Sequence, residues 1–177
     1  MRFVPLILAA SLAIASGASH GTPGLAPELT HADAGSWINS PPLTLAGLRG
    51  SVVLIEFWTF DCINCRRSLP WVSAMHERYR DHGLVVIGVH TPELPQERDA
   101  GNVRDAVARF GVMYPVMLDT DYSYWNALDN RYWPAFYLVG PTGRVEATAI
   151  GELHLDDARG ERFEEQIRSL LADRRKD

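Results

Sequence analysis

The chain has 177 residues, 46% of them hydrophobic, enough for one well-buried core and with no sign of a second domain. Against 22 acidic residues stand 17 basic ones, giving a formal charge of −5, and no basic stripe is present, which excludes a nucleic-acid partner. The two cysteines have no second cysteine pair and no His-x3-His spacing to complete four zinc ligands, so no metal site is expected, and no cofactor is called for.

Taken in chain order, Arg2 is followed by a short apolar run, Phe3 to Ser16, with small residues beyond it. This pattern predicts a signal peptide over 1–18, because the apolar stretch of 14 residues falls short of the ~20 that span a bilayer. The expected location is periplasmic or secreted; an uncleaved N-terminal anchor is the alternative. Residues 19–42, rich in Gly, Pro, Ser, Thr and His, read as a linker, leaving 43–177 as the folded domain.

Leu43 to Gly50 alternates and carries paired glycines, which predicts a short strand and turn. Ser51 to Trp58 is a near-continuous apolar run, the pattern of a central strand covered on both faces. From Cys62 to about His82, Leu69, Val72, Met75 or His76, and Tyr79 keep helical spacing, with Gly83 as the stop and Pro70 expected to kink the helix. Leu84 to His90 is a second buried strand, so 51–90 form a β-α-β unit with parallel strands and a right-handed crossover. Val103, Ala106, Val107 and Phe110 predict another helix ended by Gly111. A short strand over Pro115 to Asp119 and an aromatic-rich helix near Tyr122 to Leu128 follow. Ala135 to Val139 and Arg144 to Ile150 flank Gly140-Pro141-Thr142-Gly143 as a hairpin, and a last helix buries Phe163, Ile167, Leu170 and Leu171.

Cys62 and Cys65 are three residues apart, between the central strand and the helix that follows it. Positions i and i+3 share a helix face, so the pair can close a small disulfide, and the helix start lowers the first thiol's pKa toward the reactive thiolate. A structural staple is a poor explanation, since a four-residue loop hardly constrains the unfolded chain. A c-type haem attachment fails at Arg66, where histidine would stand. Arg66 and Arg67 either add positive charge near the thiols or point outward as ordinary surface residues.

The stretches Glu56-Phe57-Trp58-Thr59-Phe60-Asp61-Cys62-Ile63-Asn64-Cys65, Val86 to Glu93, and Tyr132-Trp133-Pro134-Ala135-Phe136-Tyr137-Leu138 resemble the thioredoxin fold. More narrowly they resemble exported TlpA-like and DipZ-type thiol-disulfide oxidoreductases, over roughly residues 43–172. The resemblance implies a three-layer α/β/α sandwich with a mixed central sheet, a short N-terminal strand extension, and a helix-strand insertion between the βαβ and ββα halves. It makes Cys62 the attacking and Cys65 the resolving cysteine of a redox-active disulfide, with protein thiols and disulfides as substrates.

Pro134 matches the family's cis-proline and Trp133 the residue whose backbone meets a substrate strand, although Trp133 is bulkier than usual there. Glu56 matches the buried acid that passes a proton to or from Cys65; a solvent-facing or arginine-paired glutamate is the other reading. Trp58 is assigned beside the disulfide at the substrate-binding surface, with a plain core aromatic as its alternative. His90 is expected as a core histidine, and Glu93 and Glu152 as loop or surface residues.

The family implies a monomeric reductant rather than a general oxidant, fed by a membrane thiol donor, with apocytochrome c or metal-site thiols among its targets. Two alternatives stand beside this. Thr59-Phe60-Asp61-Cys62 resembles the Thr-x-x-Cys of peroxiredoxins, although Ile55 stands where that pattern wants proline. Two thiolates also suit a soft ion such as Cu(I), as in a copper chaperone.

Overall fold

The computed structural model describes residues 24–174; the signal-peptide expectation lies outside them. Six strands form one mixed sheet in the order β1-β4-β3-β2-β5-β6. They are β1 (Trp37–Ile38), β2 (Val52–Trp58), β3 (Leu84–His90), β4 (Val116–Leu118), β5 (Ala135–Val139) and β6 (Val145–Ile150). The helices are α1 (Ile63–Tyr79), α2 (Ala100–Arg109), α3 (Ser123–Ala127) and α4 (Ala158–Arg174).

Every residue of β2 is buried, as its near-continuous apolar run, interrupted by Glu56, requires of a strand covered on both sides. It pairs in parallel with β3 through α1 and antiparallel with β5. Alternate residues divide the core. Val52, Leu54 and Trp58 join α1, α2 and α4 on one face. Val53, Ile55 and Phe57 join α3 and the N-terminal stretch on the other. The sandwich therefore has three layers, and α2 with β4 is the expected insertion.

α1 is capped by Cys62 and runs on through the exposed Pro70 to Tyr79; a 3-10 turn over Arg80–His82 then ends at Gly83, whose φ of +99° suits glycine. α2 starts on the Asp99 carboxylate, which accepts from the Asn102 backbone N–H at 3.0 Å. α4 buries Phe163, Ile167 and Leu171, roughly 1.5–3 kcal/mol of burial for each such side chain.

Two expectations about the N-terminal part need correction. Residues 24–42, read as linker, pack onto the sheet: Ala26, Leu29 and Trp37 are buried, and Trp37–Ile38 pair antiparallel with Val116–Met117. The strand extension thus lies here, while 43–50 form turns without a strand. The cause is tertiary. The Glu28 carboxylate accepts from the backbone N–H groups of Leu29, Leu45 and Ala46, stapling the early segment to the turn, and Leu45 packs into the same core face. A polar, proline-rich composition does not reveal such long-range partners.

Candidate active site

β2 delivers its last residues to a short loop, and α1 starts one residue after Cys62. The two cysteines are joined as a disulfide, with Cα atoms 5.3 Å apart. Cys62 is half-buried, whereas Cys65 is 0% exposed, so an incoming partner can reach only the first sulfur. Cys62 also caps the helix: its Sγ accepts from the Cys65 backbone N–H at 3.1 Å. Both that bond and the N-terminal end of the helix dipole stabilise negative charge on Cys62 once the disulfide opens. The arginines turn away from it. Arg66 lies over the Phe110 ring at 5.4 Å, and Arg67 pairs with Glu152 at 3.5 Å. A groove of about 550 Å³, lined by Ile63, Arg66, Pro70 and Phe110 among others, runs along α1 beside the pair.

The loop ahead of Cys62 is held by Glu97, which sequence reasoning overlooked. This carboxylate is 1% exposed and accepts from the backbone N–H groups of Asp61 at 3.0 Å and of Glu93 and Leu94 at 2.7 Å each. Burial pushes its pKa up, but the bonds from the Thr59 hydroxyl and these amides outweigh that and hold it below the ordinary value. Thr59 is itself buried, its hydroxyl 3.4 Å from His90 Nε2. The threonine that a peroxide-reducing site would aim at Cys62 is thus committed to Glu97 and His90. No histidine or carboxylate joins the cysteines in a three-ligand metal cluster among the described residues. His90 stacks on Phe60 and meets Trp58 edge-on, and burial lowers its pKa to about 4, so it is a neutral core histidine.

Just before β5, the Trp133–Pro134 peptide bond is cis. Trp133 is half-buried; its indole N–H donates to the Thr91 carbonyl at 3.1 Å, and its ring lies against Trp125 with centroids 4.1 Å apart. Asp119 sets that support. Wholly buried, it accepts from the Thr91 hydroxyl at 2.9 Å and from the backbone N–H groups of Tyr124 and Trp125 at 2.8 and 3.0 Å, fixing the start of α3 beneath Trp133.

Glu56 is 0% exposed and shares the β2 face covered by α1, the face whose core includes Cys65. Burial pushes its pKa up to about 8, against the opposing pull of a hydrogen bond from Tyr114. The solvent-facing alternative is thereby excluded. Trp58, assigned to the substrate-binding surface, is instead 0% exposed and meets the His90 ring edge-on, as its core-aromatic alternative has it. A strand buried on both faces leaves its last aromatic no surface. Glu152, paired with Arg67 and His154, and the exposed Glu93 are surface residues as expected.

A half-exposed sulfur capping a helix, a buried partner sulfur and a cis-proline just before β5 are compatible with disulfide exchange. The AhpC/TSA family model matches residues 26–148. The chain belongs to this family.

Within the family, it is 47% identical over 132 residues to protein DipZ of Mycobacterium tuberculosis, covering 73% of this chain and 19% of DipZ. The chain therefore spans about a fifth of the length of that relative. It is 30% identical to the thiol-disulfide oxidoreductase YkuV of Bacillus subtilis, over 71% of this chain and 82% of that one. The crystal structure of a DsbE from Chlorobium tepidum, described as a putative thiol:disulfide interchange protein, superimposes with a TM-score of 0.72. That likeness covers 85% of this chain and 98% of the other at 23% identity, and speaks for the fold. This member of the AhpC/TSA family has a thioredoxin-like fold.

Proposed function

We propose that the chain works outside the cytoplasm as a reductant of selected protein disulfides. The unequal exposure of the two sulfurs carries the mechanism. Reduced Cys62, as thiolate, attacks a substrate disulfide; the mixed disulfide forms, and one substrate sulfur leaves and takes a proton. Cys65 then gives its proton to the Glu56 carboxylate and attacks Cys62, closing the Cys62–Cys65 bond and releasing the second substrate thiol. A membrane-bound thiol donor returns the two electrons. The partner strand lies along Trp133 and Pro134, and the fixed indole narrows the range of substrates.

Two features favour reduction over oxidation. Among the described residues the Cys62 sulfur accepts a hydrogen bond only from the Cys65 backbone N–H, and both nearby arginines are engaged elsewhere, so its thiolate is only modestly stabilised. A weakly stabilised thiolate leaves the dithiol readily oxidised and hence reducing. Export rests on the Arg2 and Phe3 to Ser16 pattern; no helix among the described residues is long and apolar enough to cross a membrane.

The test is insulin reduction with a thiol donor, together with equilibration against glutathione. Cys62→Ala should abolish turnover and Cys65→Ala should accumulate mixed disulfides. The potential should fall nearer thioredoxin's, about −270 mV, than the roughly −120 mV of a strong oxidant. Full activity in Cys62→Ala would end the mechanism, and a potential at the oxidising extreme would reverse the direction.

A further inference from the structure

Glu56 is a longer acid than the aspartate of thioredoxins, and its carboxyl is met from across the sheet. The Tyr114 hydroxyl donates to Glu56 Oε2 at 3.0 Å, while Oε1 is buried with no partner among the described residues. Tyr114 is 0% exposed and sits just before β4. Two further residues make the approach possible. Gly88 stands opposite Glu56 in the parallel β2–β3 register, and a Cβ there would lie 2.9 Å from Trp58 Nε1 and 3.1 Å from Tyr114 Cε2. Only glycine lets both rings close around the carboxyl. Asn39, just beyond β1 at a φ of +65°, donates from Nδ2 to the carbonyls of Val112 at 2.8 Å and Tyr114 at 3.1 Å. The N-terminal stretch therefore grips the backbone that carries the tyrosine.

We propose that Tyr114 is the positioning residue of the buried acid, holding the Glu56 carboxyl on the α1 face and stabilising its ionised form, with Asn39 and Gly88 keeping the tyrosine in place. This rests on Glu56 as the proton acceptor for Cys65. In the resolving step the Cys65 S–H bond breaks and Glu56 takes the proton. The Cys62–substrate bond breaks as Cys62–Cys65 forms, and the substrate sulfur leaves as thiolate. Glu56 must be ionised at the outset, and a hydroxyl donor favours that form. The other titratable groups near this array are Cys65 and His76 from α1, the latter's ring 5.9 Å from Tyr114, and His90 from β3, beyond Trp58. α2 and α4 present buried apolar side chains to this core: Val103, Ala106 and Val107, and Phe163, Ile167 and Leu171.

The experiment is a single turnover of the reduced full chain with an aromatic disulfide whose thiolate is coloured. It separates the attack by Cys62 from the resolution by Cys65 across pH 5–10. In Tyr114→Phe the attack phase should match wild type, and the midpoint of the resolving phase should rise by half a pH unit or more, slowing it about threefold at pH 7. Asn39→Ala should move the midpoint the same way by less. Glu56→Gln should slow resolution and remove that midpoint.

If Glu56→Gln alters resolution but Tyr114→Phe leaves the midpoint unmoved, Glu56 keeps its role and the positioning by Tyr114 is overturned. If Glu56→Gln resolves as wild type does, the reading of Glu56 itself falls, and this proposal with it. Should Tyr114→Phe fail to fold by circular dichroism, Asn39→Ala decides, and an unmoved midpoint there overturns the proposal.

Discussion

Replacing Glu97 by glutamine tests whether one buried carboxylate holds the loop in front of the attacking cysteine. Oε1 serves Asp61, the residue before Cys62, and Oε2 serves Glu93 and Leu94 together. Glutamine keeps a single acceptor oxygen, so one side of the clamp must lose its partner and face an amide N–H instead. Hydrogen bonds to charged groups contribute about 1.5–3 kcal/mol, and a buried unpartnered donor costs about 1–3 kcal/mol. The milder arrangement, loss of the Asp61 bond alone, therefore costs roughly 2–3 kcal/mol, or about 4–12 °C in Tm at this chain length. Because the hydrogen bonds hold the folded pKa below its ordinary value, this stability is present above the unfolded value of 4.5 and is lost as pH falls through the folded one. Urea unfolding of the oxidised chain, followed by tryptophan fluorescence, should show the full difference between wild type and variant at pH 7 and a shrinking one below about pH 4.5. A difference under about 0.5 kcal/mol at pH 7, or one that does not shrink in acid, would refute the clamp.

Three further outcomes follow from the buried groups. Glu56 has a folded pKa of about 8 against 4.5, so the folded chain keeps a proton that the unfolded one releases. Stability should fall by a few kcal/mol as pH rises through that window, and Glu56→Gln should flatten the fall; a flat wild-type curve in urea titrations between pH 5 and 8 would count against it. His90 runs the other way. Its folded pKa of about 4 means stability is present above about 6.5 and lost as pH falls toward 4, and its imidazole should stay neutral at pH 5.5 by NMR; titration near 6.5 would show that it is not buried as described. Trp133→Ala removes the Trp125 ring contact and the bond to Thr91, a loss of about 2 kcal/mol. For a protein disulfide KM should rise with kcat little changed, whereas an unchanged KM would remove Trp133 from the partner surface.

Much of the fold was legible because its periods are strong. The near-continuous apolar run of β2, the helical spacing after Cys62 and the glycine-bounded hairpin each specify an element from local residues alone. The N-terminal stretch was not legible, because Glu28, Trp37 and Asn39 find their partners at Leu45, His31 and Tyr114 rather than next door. The same distance in sequence hid Glu97 and Asp119, whose backbone-binding carboxylates look in the sequence like any loop acids. Trp58 was misplaced at the surface for a related reason: the alternation that puts Glu56 under α1 also puts Trp58 there.

The sequence by itself determined where the two thiols stand. Two cysteines in a four-residue loop at a strand-to-helix junction are legible from the sequence alone, because thiol spacing and helix position are local properties. Tertiary structure alone decided how unequally the two sulfurs are exposed, how deeply Glu56 is buried, and that Tyr114 meets its carboxyl. Burial and hydrogen-bond partnership depend on segments that meet only when the sheet closes.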